Sequence, residues 1–236
     1  MKNFLKDYLE LSEQDRQEII SNPGPVVTLS RESGCSSTQI AVKLSKILSG
    51  YGYQAGKRNG EWTLVSKEII EEAAQELEMS HAQIKDVFRK ETRTSLHDVT
   101  TAFSTDKVYD ADDQKVIDTI SEIISKVAQR GRCVIVGRAA NVVTKDIPAC
   151  LNVKLQAPME WRIGQVMKVS SMNYADARDY VLEIDRQRNL FVEHIAGYKV
   201  GNSDFDVVFN CATMSDDLIV DTIINILKSK RLIAAG

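Results

Sequence analysis

The chain predicts a three-layer α/β/α fold built on a parallel sheet, and three observations carry that expectation. Cys133-Val134-Ile135-Val136-Gly137 is a continuous apolar run closed by glycine, the pattern of a strand buried on both faces. Amphipathic helical segments separate this run from further strand-like runs, and strands alternating with helices pack as a parallel sheet covered on both sides. Finally, the β-branched run Val26-Val27-Thr28-Leu29 turns over small residues directly into a helix. In such folds ligands bind at the carboxyl ends of the strands.

Each element follows in order. Leu5, Tyr8, Leu9, Leu11 and Ile19 predict a helical extension over 4–20, ended by Asn22-Pro23-Gly24-Pro25. This divides the chain into an extension, 1–23, and a core, 24–236. The first strand is expected at 25–30. The first helix follows at 38–50, with Ile40, Leu44, Ile47 and Tyr51 at helical spacing. Four glycines between 50 and 60 interrupt the pattern before a short strand at Trp62–Val65. Helices are expected at 66–78, at 80–89 behind a Ser80 cap, and at 112–130, where Val116, Ile117, Ile120, Ile123, Ile124 and Val127 share a face. Residues 90–111 are polar and aperiodic, as in substrate-facing or mobile connections. The second half predicts strands at 133–137, 151–155 and 205–210, with helices at 158–169, 174–195 and 215–229.

Composition narrows the function class. The 236 residues are 43% hydrophobic and 27% charged, values of an ordinary globular protein. A net charge of -3 argues against a general nucleic-acid binder. No apolar run reaches the roughly 18 residues that span a bilayer, and the first 22 residues have no secretory h-region, so a cytoplasmic location is expected. The cysteines at 35, 133, 150 and 211 form no CxxC pair, and the three histidines form no HxxxH, so neither a structural disulfide nor a zinc site is expected. The apolar positions of the extension are expected to dock on the core or on a second copy, as in a homodimer.

Chemistry concentrates at the predicted strand ends. Arg31-Glu32-Ser33-Gly34-Cys35-Ser36-Ser37-Thr38 lies where a Walker A loop lies, between strand and helix. Backbone N–H groups of Gly34, Cys35, Ser36, Ser37 and Thr38 at a helix N-terminus suit a phosphate, and the Thr38 hydroxyl suits Mg²⁺. Ser37 stands where that motif carries lysine. The plainer reading is a strand–turn–helix junction with Ser/Thr caps. Arg138 follows a buried strand, so it projects into the crevice toward a phosphate or pairs with a carboxylate. Asp185 and Arg188 are three apart on one helix face, the spacing of an intrahelical bridge. Arg162, just after Ala157-Pro158, has the same two readings.

Taken in order, these segments resemble the cytidylate-kinase-like branch of the nucleoside monophosphate kinases. The resemblance rests on Arg31–Thr38, Val134–Ala140 (Val-Ile-Val-Gly-Arg-Ala-Ala), Ala157–Arg162, Asp185–Arg188 and Asp204–Asn210, and runs from about residue 25 to the C-terminus. It implies a P-loop NTPase core with a helical acceptor-binding insertion, over 51–111, and a lid, over 158–203. It implies transfer of the ATP γ-phosphoryl, with Mg²⁺, to a small-molecule nucleotide such as CMP. Carried over by position, Arg31 and 34–38 would hold ATP phosphates and Arg138 the acceptor phosphate. Arg162 would begin the lid, and Asp185 and Arg188 would face acceptor and transferring phosphoryl. The chain departs from cytidylate kinases at Ser37, at Val136 and Ala139 in place of aspartates, and at Gln165, Val166 and Lys168 in place of lid arginines. These departures keep a second reading open, a nucleotide-binding or sensing module with weak or no turnover.

Overall fold

The computed structural model describes residues 24–54, 61–66 and 111–234. The expected extension over 1–23, the helices expected at 66–78 and 80–89 and the polar stretch expected at 90–111 lie outside the described residues, apart from Ser66 and Ala111 at their edges.

Five parallel strands form one sheet in the order β2-β3-β1-β4-β5. They are β1 (Val26–Arg31), β2 (Thr63–Val65), β3 (Cys133–Val136), β4 (Cys150–Gln156) and β5 (Val207–Asn210). Among the described residues six α-helices accompany them: α1 (Ser37–Gln54), α2 (Ala111–Arg130), α3 (Ala140–Val143), α4 (Met159–Val169), α5 (Tyr174–Ala196) and α6 (Asp216–Ser229). The fold is the expected three-layer α/β/α. The short α3 was not foreseen, because four residues carry no readable periodicity. The last strand also starts later than expected, at Val207. Phe205 and Asp206 instead lead into it, with an Asp206 carboxylate oxygen accepting from the Asn152 N–H at 2.7 Å.

Alternation along the strands assigns side chains to two cores. Val27, Leu29, Val134, Leu151, Val153 and Leu155 point to the side where α1 and α6 bring Ile40, Leu44, Leu48, Ile219, Ile223 and Leu227. Val26, Cys133, Ile135 and Cys150 point to the other side, against Ile117, Ile120 and Ile124 of α2 and Phe191 of α5. Each such fully buried aliphatic side chain contributes about 1.5–3 kcal/mol. Ser215 caps α6 by accepting from the Leu218 N–H, and Asn173 caps α5 by accepting from Asp176.

The central strand decides where a ligand fits. β1 pairs β3 on one side, with Leu29 opposite Val136, and β4 on the other, with Arg31 opposite Leu155. The chain fills one half of the sheet before crossing to the other, so β1 lies at the topological switch point, where helices leave a crevice beyond the strand ends. Beyond those ends, α4 and the start of α5 pack on each other through Ile163, Val166, Ala177 and Val181.

Candidate functional site

Two polar assemblies occupy the carboxyl end of the sheet. The first is a clamp around the loop after β1. Ser33 is held at both backbone groups: its N–H donates to Asp185 Oδ1 at 2.7 Å, and its carbonyl accepts from Arg162 Nη1 at 3.3 Å. Arg162 is only 6% exposed, and its Nη1 also donates to Asp185 Oδ2 at 2.5 Å. Its Nε donates to the Ala157 carbonyl at 2.9 Å and lies 3.2 Å from Glu32 Oε2, which in turn accepts from the Ala157 N–H at 3.1 Å. A buried guanidinium is tolerable only with such saturation. Gly34 sits directly on this assembly with φ +91°. A Cβ there would fall 2.8 Å from the Arg162 carbonyl oxygen, so the position admits only glycine.

The loop N–H groups divide into two sets. Those of Ser33, Cys35 and Ser37 bond to Asp185 and to the carbonyls of Glu32 and Cys35. Those of Gly34, Ser36 and Thr38 have no hydrogen-bond partner among the described residues. Ser37, at the lysine position, is buried, whereas Thr38 is exposed at the first turn of α1. The Ser36 hydroxyl donates to Asp216 Oδ1 at 2.5 Å, which fastens the loop to the start of α6.

The second assembly is a cleft of about 120 Å³ beside the clamp, into which β1, the turn after β3, and α5 bring Arg31, Arg138 and Arg188. Lys154, Glu32 and Asp185 also line it. Arg31 lies across Gly137, where a Cβ would stand 1.9 Å from its Nη1. Burial, and then the nearby charge of Arg188, push the Arg31 guanidinium down to about 9, against the opposing pull of Asp185. Burial also lowers Arg188, with Asp185 opposing. Arg188 Nη1 is 3.9 Å from Asp185 Oδ1, beyond hydrogen-bond range, and is buried with no hydrogen-bond partner among the described residues.

The turn that delivers Arg138 is strained. Gly137, Arg138 and Ala139 have φ of 71°, 59° and 52°, three successive left-handed residues. Each of the two non-glycine residues costs roughly 1–2 kcal/mol in that region. Arg138 is nonetheless 5% exposed and lines the cleft. Strain of this kind concentrates where a side chain must be aimed.

The residues singled out from sequence thus separate. Arg31, Arg138, Asp185 and Arg188 meet in one cleft. Arg162 faces the loop backbone instead, and none of Gly34–Thr38 lines the cleft. Asp185 reaches past the expected helix-face bridge to Ser33 and Arg162, a connection that no spacing reveals. Sequence reading passed over Glu32 and Lys154. A lysine inside an apolar strand was a readable sign for the latter; Glu32 carried none beyond its place beside Arg31.

The family described as the cytidylate kinase-like family matches residues 26–213. The chain belongs to that family. The expected three-layer fold and its kinase-like character agree with this membership. No curated protein matches the chain. Among solved structures, an uncharacterized protein from Eubacterium ventriosum is 20% identical at a TM-score of 0.62, covering 87% of this chain and 98% of its own. A shikimate kinase from Bacteroides thetaiotaomicron is 9% identical at a TM-score of 0.49, covering 87% and 97%. TT1252 from Thermus thermophilus is 14% identical at 0.48, again over 87% and 97%. Among the described residues no helix is long and apolar enough to cross a membrane.

Proposed function

We propose that this member of the family is a phosphotransferase that moves the ATP γ-phosphoryl to a nucleoside monophosphate of the CMP type or a related small acceptor. The observation that carries the reading is the convergence of Arg31, Arg138 and Arg188 on one cleft at the switch point of the sheet. Guanidinium groups crowded against one another are stabilised by a ligand with several negative oxygens, and phosphoryl transfer needs positioning and positive charge more than covalent chemistry. The N–H groups of Gly34, Ser36 and Thr38, which have no partner among the described residues, fit phosphate oxygens of the donor. Mg²⁺, when bound, neutralises phosphate charge, and the exposed Thr38 hydroxyl is the side chain that would hold it. On this reading Arg138 and Arg188 orient the acceptor phosphate and steady the transferring group. Asp185 and Arg162 keep the loop in shape.

A specific observation favours the second reading, nucleotide binding without turnover. The buried Ser37 offers no charge to follow the β- and γ-phosphates, and the Ser37 N–H is already spent on the Cys35 carbonyl at 2.9 Å.

A thermal-shift and ADP-release screen against nucleoside monophosphates, with ATP and Mg²⁺, separates the two. The proposal expects ATP to raise the melting temperature and ADP to form only with an acceptor. ATP binding with no acceptor-dependent ADP would establish the sensing module. No shift with any nucleotide would overturn both.

A further inference from the structure

A second cavity, of about 250 Å³, lies against the sheet beside the arginine cleft. Asn141 and Phe205 line both, so the two spaces adjoin. Its origin is written in β1 and β4. On the face toward α5, β4 alternates Cys150, Asn152 and Lys154 with the apolar Leu151, Val153 and Leu155. β1 sets Thr28 opposite Asn152 and Ser30 opposite Lys154. An apolar helix laid over those polar pairs would leave amide and ammonium groups without partners, at a heavy cost. Among the described residues a cavity stands over Asn152 instead.

Two amides form its floor. The Thr28 hydroxyl donates to Asn152 Oδ1 at 2.6 Å, and the Ser30 hydroxyl donates to Asn141 Oδ1 at 3.4 Å. Both amide oxygens are thereby engaged, and neither Nδ2 has a hydrogen-bond partner among the described residues. Asn141 is only 4% exposed, so its amide lines the cavity as a buried donor that a ligand can satisfy.

The rim offers acceptors. Asp204 accepts from the Tyr198 hydroxyl at 3.1 Å and the Gly201 N–H at 2.7 Å, and Asp206 accepts from Lys230 at 3.1 Å. Each carboxylate retains lone pairs beyond these bonds. Lys145, also on the rim, and Lys230 balance the two negative charges. The walls are therefore polar and close to neutral, with Phe205 as the aromatic one.

We propose that this cavity is a subsite for a polyhydroxylated ring, and that the small acceptor is a sugar phosphate whose phosphate lies among the arginines. A hydroxyl group accepts and donates at once. One ring can therefore accept from the Asn141 and Asn152 amides and donate to Asp204 and Asp206. A second phosphate would meet those two carboxylates. A nucleobase would want apolar cover on both faces, and among the lining residues Val142 and Phe205 alone lack a polar group. The inference rests on the arginine cleft as a phosphate site and narrows its acceptor.

Calorimetry on the full chain tests it. Inorganic phosphate reads the cleft, whereas ribose 5-phosphate and glucose 6-phosphate read cleft and cavity together. At least one sugar phosphate should bind about tenfold more tightly than inorganic phosphate, the effect of two amide hydrogen bonds. Asn152→Thr keeps a hydroxyl for Thr28 but withdraws the amide, and should remove most of that gain. Lys145→Ala, at an exposed position with no bearing on the fold, should reduce it about threefold. Sugar phosphates no tighter than inorganic phosphate, or a gain unchanged in both variants, would overturn the subsite and leave the phosphate cleft standing. CMP binding about tenfold more tightly than either sugar phosphate would overturn the acceptor class while supporting the function proposed above. Binding of neither inorganic phosphate nor any phosphate ester would overturn the cleft, and this inference with it.

Discussion

The clamp and the cleft use the same side chain, arginine, to opposite ends. In the clamp, Arg162 meets two carboxylates and two backbone carbonyls within 3.3 Å. In the cleft, burial lowers both Arg31 and Arg188, the charge of Arg188 lowers Arg31 further, and the Asp185 carboxylate oxygen stands 3.9 Å from Arg188. Asp185 belongs to both and gives its short contacts to the clamp. A saturated guanidinium holds backbone in place; guanidiniums pressed together without that saturation are poised for charge supplied by a ligand. The difference separates residues that shape the site from residues that act in it.

The contrast is most directly broken at Arg162. Arg162→Ala should cost about 3–5 kcal/mol in urea denaturation, because it leaves Asp185 and Glu32 without their buried partner. A loss under about 1 kcal/mol would reduce the clamp to the standing of a surface ion pair. Next comes Gly137→Ala, which places a methyl group where Arg31 lies and imposes a φ of 71° on an L-residue. The expected cost is about 2 kcal/mol with weakened ATP binding, read by denaturation and calorimetry. Unchanged ATP affinity would detach Arg31 from the site.

Arg138→Gly sharpens the comparison from the other side. Relief of the left-handed residue at 59° should offset part of the lost side-chain contact, so stability should stay within about 1 kcal/mol. Acceptor binding should meanwhile fall by about tenfold or more. A variant that is much less stable but still binds would move Arg138 into the structural class. The smallest effect is in pH. Arg31 is pressed from 12.5 to about 9, and an anion binds its charged form. Affinity for sulfate, whose own charge is constant over this range, should therefore be level below about pH 8 and decline severalfold between about pH 8 and about pH 10. Affinity rising with pH would contradict the cleft as an anion site.

Much of this was legible before any coordinates. Apolar alternation located all five strands and every long described helix, because burial on two faces and at helical spacing leaves periodic traces. The end of β3 marked Arg138, since an arginine directly after a buried run has few places to go. The clamp left no such trace. Glu32, Arg162 and Asp185 are far apart in sequence, and Asp185 with Arg188 presented only the familiar three-residue spacing. The strained turn at 137–139 was equally silent, because arginine and alanine do not announce a left-handed backbone.

By itself, then, the sequence determined the layers, the parallel sheet and the strand ends where polar chemistry gathers, since hydrophobic patterning is a local record of which face is buried. Which arginine is saturated and which is left for a ligand was decided only by the tertiary structure. That distinction depends on distances between side chains from β1, β3, α4 and α5, and a few ångströms separate a hydrogen-bonded clamp from a repelling pair.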